Sequence, residues 1–92
     1  MAQKVKHGLI QCGVPEEVFG ESPETIKQVM IDKHIGLIEE AVAKGAKVIC
    51  LQELFYGPYF CAEQDKKWYS LTEKIPEGPT TKLMRDVCKK HE

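Results

Sequence analysis

The sequence has 92 residues, of which 42% are hydrophobic and 29% are charged, so it can form one domain at most. Its 14 acidic and 13 basic residues nearly balance, which excludes the basic surface of a nucleic-acid-binding protein and the polybasic patch of a membrane-binding one. It contains neither a transmembrane run of about 18 apolar residues nor the apolar core of a signal peptide, so we expect a soluble, cytoplasmic protein.

The first predicted element is a strand over residues 5–12, where alternation of polar and apolar residues surrounds an apolar centre. Gly8 within this strand is typical of a close approach by another part of the chain. Residues 13–22 contain two glycines, a proline and three glutamates, and this composition predicts a solvated loop.

A long helix is predicted over residues 24–44. Ser22 is a suitable N-cap, Pro23 suits the first helical position, and Gly45 is a natural stop. Apolar residues recur at steps of three and four, which predicts one buried stripe. The stripe consists of Ile26, Val29, Met30, Leu37, Ile38, Ala41 and Val42. We assign His34 to the surface of the helix or its boundary, and not to a ligand site.

A second strand is predicted over residues 46–51, directly after the helix. Two strands joined by a helix form a β-α-β unit, so we expect them to be parallel. The run is continuously apolar, which is typical of a strand that is covered on both faces. Gln52 and Glu53 follow it, and open α/β sheets bind their ligands at this end of the strands.

An aromatic connection over residues 52–67 overlaps a short helical turn predicted at residues 65–70. The run from Pro76 to Pro79 indicates a turn, and a second helix is predicted to begin near Pro79. Its apolar side consists of Leu83, Met84, Val87 and Cys88. Two parallel strands alone make a poor sheet, because both are edges. We therefore interpret the chain as the N-terminal part of a larger α/β domain; the alternative is a small domain that completes its sheet by oligomerising.

The four cysteines lie at positions 12, 50, 61 and 88, with no C-x-x-C spacing. Cys12, Cys50 and Cys88 lie in or beside apolar segments, where a free cysteine packs as a small hydrophobe. The three histidines are scattered, so we expect no metal site. Cys61 has no activating histidine nearby in the sequence, and we interpret it as a loop cysteine and not as a nucleophile.

Glu53 is the candidate catalytic residue. A carboxylate at a strand end, followed by aromatic residues, is suited to proton transfer near neutral pH. The residues alone also permit a structural role, and they favour it: a strand-end glutamate can cap a nearby helix or pair with a lysine.

The segment VICLQELFYGPYFC, residues 48–61, resembles the first catalytic segment of the nitrilase, or carbon–nitrogen hydrolase, superfamily. Residues 5–12 are similar to the first strand of that family. Residues 32–35, 62–65, 68–69 and 75–81 are similar to its N-carbamoyl amidase branch, which includes N-carbamoylputrescine amidase and β-ureidopropionase. The resemblance implies a four-layer α-β-β-α sandwich. Residues 1–92 would form its N-terminal β-α-β-α portion, as part of a single, incomplete domain.

The resemblance further implies a Glu–Lys–Cys triad in which Glu53 is the general base. The lysine and the nucleophilic cysteine would come from later strand ends, beyond residue 92, and Tyr59 would line the substrate pocket. The implied activity is hydrolysis of the carbon–nitrogen bond of small linear N-carbamoyl amines or amino acids, by a homo-oligomer that needs no metal or organic cofactor. The alternatives are another branch, such as an aliphatic amidase or nitrilase, and a non-enzymatic α/β interaction module.

Overall fold

The computed structural model describes residues 3–59 and 65–91. Its elements are β1 (His7–Ile10), α1 (Pro23–Ala43), β2 (Val48–Leu51) and α2 (Pro79–His91). Among the described residues, two 3-10 helices lie between these elements, the first at Glu16–Val18 and the second at Lys66–Leu71. This order confirms the predicted α/β arrangement of strand, helix, strand and helix.

The two strands form a parallel sheet, which confirms their predicted direction. The register pairs His7 with Val48 at one end and Ile10 with Leu51 at the other. The inner face of this sheet lies directly against α1. A Cβ atom at Gly8 would be only 3.4 Å from the Cβ atom of Ala41, so the glycine marks a close approach of strand and helix.

Both strands are shorter than predicted, and the outermost residues Ala46 and Cys12 of the predicted ranges form other hydrogen bonds. The Ala46 N–H donates to the Ala41 carbonyl oxygen over 3.1 Å, as part of the end of α1. The backbone of Cys12, at the far end of the predicted first strand, is bound by the side chain of Gln52. Neither residue is therefore free to extend the backbone ladder of the sheet.

The outer face of the sheet is apolar and exposed in the part of the chain that the structure describes. Leu9 is 78% exposed, Val48 is 49% exposed, and Cys50 is exposed between them. The prediction that β2 is covered on both faces is therefore wrong for this chain, because α1 covers only one of them. The exposure of Cys50 and Cys88 likewise contradicts the prediction that they pack as small hydrophobes.

Helix α1 begins and ends close to the predicted positions. Ser22 is the N-cap: its side-chain oxygen accepts a hydrogen bond from the Thr25 N–H over 3.2 Å, and Pro23 occupies the first helical position. Gly45 ends the helix with a φ of +92°, a conformation that residues with side chains rarely adopt.

The buried face of α1 follows a step of four residues. Ile26, Met30, His34 and Ile38 are all buried, and His34 has an exposed fraction of 0%. The prediction that His34 lies at the surface or boundary of the helix is therefore wrong. The reason is its register, because His34 falls between Met30 and Ile38 on one row of the helix.

The second 3-10 helix packs against the N-terminal half of α1. Trp68 is buried there and forms a core cluster with Ile26 and Met30. Tyr56 and Leu71 pack against this cluster, and the Tyr56 hydroxyl donates a hydrogen bond to the Leu71 carbonyl oxygen over 2.8 Å. The loop after β2 is thereby attached to the core.

The start of α2 is attached to α1 through Glu73. The Glu73 carboxylate pairs with the Lys27 ammonium group, and it accepts hydrogen bonds from the N–H and the hydroxyl of Thr80. Burial raises the pKa of the Glu73 carboxyl, but the hydrogen bonds from Lys27 and Thr80 outweigh this effect. The net pKa therefore lies below its ordinary value. Helix α2, which is described throughout, contains no buried residue, and its predicted apolar side is only partly covered.

Candidate active site

Glu53 lies in the turn that follows β2, one residue beyond Gln52. Because β1 and β2 are parallel, this turn lies at the carboxyl end of the sheet, where ligands bind in open α/β folds. The side chain of Glu53 is exposed, and no residue within the described ranges forms a hydrogen bond or ion pair with it. The carboxylate is therefore available to a molecule that binds beside it.

A cavity of about 360 Å³ opens beside Glu53. One wall is the loop of residues 53–58, and the other is formed by Trp68, Tyr69, Leu71 and Thr72 at the second 3-10 helix. Most of this lining is apolar or aromatic, and among the described residues that form it Glu53 supplies the only carboxylate. Cavities of this kind bind small molecules by shape, while a few polar groups fix the orientation of the ligand.

Tyr59 is 70% exposed and does not belong to the residues that line this cavity. Residues 60–64, among them Cys61, lie outside the described residues. The substrate-binding role of Tyr59 therefore stays a prediction. Tyr56 does line the cavity, and its ring lies 4.7 Å from the Lys27 Nζ atom.

The side chain of Gln52 joins the ends of the two strands. Its Oε1 atom accepts a hydrogen bond from the Cys12 N–H over 3.2 Å, and its Nε2 atom donates to the Cys12 carbonyl oxygen over 2.6 Å. A side-chain amide thus replaces the backbone ladder where β1 and β2 end. These two bonds also determine which way the amide of Gln52 points, because each end of the amide faces a partner of the opposite kind.

His34 completes this group from the side of α1. Its Nδ1 atom lies 2.7 Å from the Met30 carbonyl oxygen, and because a carbonyl only accepts, Nδ1 carries the hydrogen. Its Nε2 atom lies 3.2 Å from Gln52 Oε1 and 3.4 Å from Cys12 Sγ. The ring of Phe55 meets the imidazole edge-on, with 5.4 Å between the ring centroids. We refer to Cys12, His34 and Gln52 as the strand-end cluster.

The strand-end cluster was missed by the sequence analysis, although one signal for it exists. His34 continues the row that begins with Ile26 and Met30, and a histidine on a buried row requires polar partners. The identity of those partners has no local signal, since Cys12 is 22 residues away from His34 in the chain.

Among residues 3–59 and 65–91, no group of three or more His, Cys, Asp or Glu side chains is arranged to hold a metal ion. Within the same residues, neither α1 nor α2 combines the length and the apolar content that a bilayer-spanning helix requires. A carboxylate beside an aromatic cavity is a residue type suited to proton transfer.

Comparison with known proteins gives a family match over most of the chain. The family model described as carbon-nitrogen hydrolase matches residues 10–92. N-carbamoylputrescine amidase of Arabidopsis thaliana is 40% identical over 53 residues, which cover 58% of this chain and 18% of that protein. β-Ureidopropionase of the same plant is 25% identical over 87 residues, covering 95% of this chain and 21% of that protein.

A nitrilase of Pyrococcus abyssi (strain GE5 / Orsay) is 40% identical over 53 residues, which cover 58% of this chain and 20% of that protein. No solved structure gives a significant match. The chain thus spans about a fifth of the length of the curated relatives that it matches.

Proposed function

The chain belongs to the carbon–nitrogen hydrolase family, and from this premise we propose that it forms the N-terminal part of an amidohydrolase that acts on linear N-carbamoyl amines or amino acids. The observation that carries the proposal is the position of Glu53. This carboxylate, which has no partner among the described residues, follows β2 and lines an aromatic cavity, within the residues that the family model matches. Similarity to an N-carbamoylputrescine amidase and to a β-ureidopropionase favours the N-carbamoyl class of substrate.

In the proposed mechanism Glu53 transfers protons for a cysteine nucleophile supplied by a later part of the domain. Glu53 takes the proton of the thiol, and the thiolate attacks the carbonyl carbon of the carbamoyl group. A lysine, also from a later part of the domain, stabilises the negative charge that develops on the carbonyl oxygen. Glu53 then donates its proton to the departing nitrogen. Ammonia leaves, and the carbonyl carbon stays bound to the cysteine sulfur as a thioester.

The second half of the mechanism returns Glu53 to its starting state. Glu53 takes a proton from a water molecule, which attacks the thioester carbon, and it then gives this proton to the departing thiolate, which restores the thiol and the Glu53 carboxylate. The product is a carbamic acid, which loses carbon dioxide to give the free amine. This sequence of steps requires no metal ion and no organic cofactor.

The structural support for this role is the freedom of the Glu53 carboxylate. A strand-end glutamate with a purely structural role would cap a helix or pair with a lysine, and within the described residues Glu53 does neither. Glu73 shows the contrast, because its carboxylate is engaged by both Lys27 and Thr80. A carboxylate without protein partners beside a cavity is suited to act on a bound molecule.

The experiment that tests the proposal is a substrate panel on the full-length parent protein. We expect release of ammonia from N-carbamoylputrescine or N-carbamoyl-β-alanine, with a kcat/KM that exceeds the value for simple aliphatic amides and nitriles. A preference for nitriles or for amides without the carbamoyl group would place the protein in another branch of the family. Absence of hydrolysis throughout the panel would contradict the proposal as a whole.

A second candidate function is favoured by the outer face of the sheet. Leu9 and Val48 expose apolar surface there, and two-stranded sheets have unpaired edges that can recruit another chain. A non-enzymatic module that self-associates through this face is the corresponding proposal.

Light scattering on residues 1–92 separates the two candidates: a defined oligomer with cooperative melting supports the module, and a poorly folded or aggregating chain supports the enzyme fragment. Homo-oligomerisation of the complete enzyme is a separate proposal that the same measurement tests on the parent protein.

A further inference from the structure

The position of Glu53 depends on Gln52, because the two residues share a peptide bond. The Gln52 side chain is fastened at both ends of its amide to the backbone of Cys12, over 3.2 and 2.6 Å. These bonds fix the distance between Gln52, the residue that follows β2, and Cys12, near the end of β1. The backbone from which the Glu53 carboxylate projects is therefore held against the sheet and is not left as a free turn.

His34 provides a third point of attachment, from the opposite side of Gln52. Its ring is fully buried, and its Nδ1 atom is bound to the Met30 carbonyl oxygen within α1. Because Nδ1 carries the hydrogen, Nε2 is an acceptor, and the Cys12 thiol donates to it over 3.4 Å, while Gln52 Oε1 packs 3.2 Å away. The imidazole thus connects the backbone of α1 to Cys12, whose backbone binds the Gln52 amide.

The remaining contact of His34 leads back to the cavity. Phe55, which meets the imidazole edge-on, lies two residues beyond Glu53 and lines the same cavity. The backbone of Glu53 is therefore anchored before and after it in the chain: Gln52 is bound to Cys12, and Phe55 packs on His34. This anchoring orients the exposed Glu53 carboxylate, although no described residue bonds to its oxygens.

We propose that Gln52 and His34 are positioning residues that fix the direction of the Glu53 carboxylate towards the cavity, an inference that rests on the proposed function of Glu53 as general base. Neither residue touches the reacting atoms. Each acts through the backbone of the turn, and a displacement of about 1 Å at a catalytic group can lower a rate by about 100-fold. Loss of either residue therefore lowers kcat with little effect on KM.

The test uses the full-length parent protein and the Gln52→Met variant, which keeps the length of the side chain and removes both of its bonds to Cys12. We expect kcat to fall by about 10- to 100-fold while KM changes by less than about threefold. The matched control is Gln28→Ala, which removes an exposed glutamine of α1 that bonds only to Asp32 in the described residues, over 2.8 Å. This control should leave both constants unchanged.

The same substitution in a Glu53→Gln background separates positioning from a general loss of structure. Since Gln52 acts through Glu53, we expect Gln52→Met to change the residual kcat of Glu53→Gln by less than about twofold. A merely structural role would lower kcat by the same factor in both backgrounds, and that result would overturn the proposal. Full turnover by the Glu53→Gln single variant would overturn the proposed function itself, which is a different result.

A pair of histidine substitutions keeps the inference testable if Gln52→Met fails to fold. The amide of a glutamine at position 34 can reach the location of Nε2, whereas the amide of an asparagine reaches only the location of Nδ1. We expect His34→Gln to retain at least about fivefold more of the wild-type kcat than His34→Asn, at equal folded fraction measured by thermal melting. Equal activity of these two variants would show that the contacts of His34 Nε2 with Cys12 and Gln52 do not position Glu53.

Discussion

Lys27 and Glu73 form an ion pair between residues 46 positions apart in the chain, and the pair is largely shielded from water. The exposed fractions of the two side chains are 18% and 10%. This pair joins the N-terminal half of α1 to the residues that precede α2, and the same carboxylate binds the Thr80 N–H in the first turn of α2. The attachment of the first turn of α2 to α1 therefore involves the charge of the Glu73 carboxylate.

The first prediction concerns the pH dependence of stability at Glu73. Its pKa is lower in the folded protein than its ordinary value of 4.5, so the folded state favours the charged form. The stabilisation is therefore fully present above the unfolded pKa, near pH 4.5, and it is lost as the pH falls through the lower folded value. In urea unfolding, the wild-type protein and Glu73→Gln should differ by a constant free energy from pH 6 to 8, and the difference should shrink below about pH 4.5.

The size of the Glu73 effect has an internal control. We expect Glu73→Gln to lower the free energy of unfolding at pH 7 by about 1–3 kcal/mol, the range for hydrogen bonds to a charged group. The exposed pair of Lys90 and Glu39, with exposed fractions of 66% and 48%, is the matched control. Glu39→Gln should change the stability by less than about 1 kcal/mol. Equal effects of the two substitutions would show that Glu73 does not anchor α2.

The second prediction concerns the chemistry of Glu53. In the full-length parent, Glu53→Gln should lower kcat by about 10²- to 10⁴-fold, since an amide of the same shape can neither take nor give the proton. The melting temperature should hardly change, because the side chain is exposed and has no partner within the described residues. Glu77→Gln, at an exposed glutamate before α2, is the matched control and should keep full activity. Near-normal turnover of Glu53→Gln would contradict the general-base role.

The third prediction concerns residues 1–92 as an isolated polypeptide. We expect no release of ammonia from N-carbamoylputrescine or N-carbamoyl-β-alanine above the background of the buffer. The proposed triad needs a lysine and a cysteine nucleophile that lie outside this chain. A colorimetric ammonia assay at high protein concentration provides the measurement. Turnover that disappears on alkylation of the cysteines would show instead that a thiol within residues 1–92 is the nucleophile.

The fourth prediction compares two glycines at which substitution by alanine should change the stability in opposite directions. Gly36 lies inside α1, and apart from its chain neighbours and the backbone of its own helix, no heavy atom of the described residues would lie within 4 Å of a Cβ atom added there. Gly36→Ala should therefore raise the free energy of unfolding by about 0.5–1 kcal/mol, since alanine favours the helix. Gly45 has a φ of +92°, so Gly45→Ala should lower the stability by about 1–2 kcal/mol. Thermal melting of both variants provides the measurement, and changes of the same sign would contradict the assignment of the helix end.

The parts of the fold that the sequence predicts correctly are those with local signals. Ser22 and Pro23 mark the start of α1, and Gly45 marks its end, because capping depends on residues within one turn of the helix. The parallel direction of the strands follows from the long helix between them. The placement of Glu53 at the end of β2 follows from the apolar run of residues 48–51, which becomes polar at Gln52.

The parts that the sequence does not predict depend on contacts between distant residues. The burial of His34 follows from its place between Met30 and Ile38 in the buried row of α1, and not from its own polarity. The pairing of Gln52 with Cys12 spans 40 residues, and no local pattern specifies it. The outer face of β2 is exposed because no described element packs on it. A continuous apolar run indicates that a strand can be covered on both faces, but it does not supply the element that covers it.

The register of the sheet also constrains how this chain can fold during synthesis. Every pairing in the sheet, from His7 with Val48 to Ile10 with Leu51, joins residues that are 41 positions apart. The hydrogen bonds of α1 are local, so this helix can form as soon as its residues leave the ribosome, whereas β1 must wait until β2 has emerged. The apolar residues of β1 are therefore without a strand partner throughout the synthesis of α1, which is the interval when a chaperone or a neighbouring nascent chain can bind them.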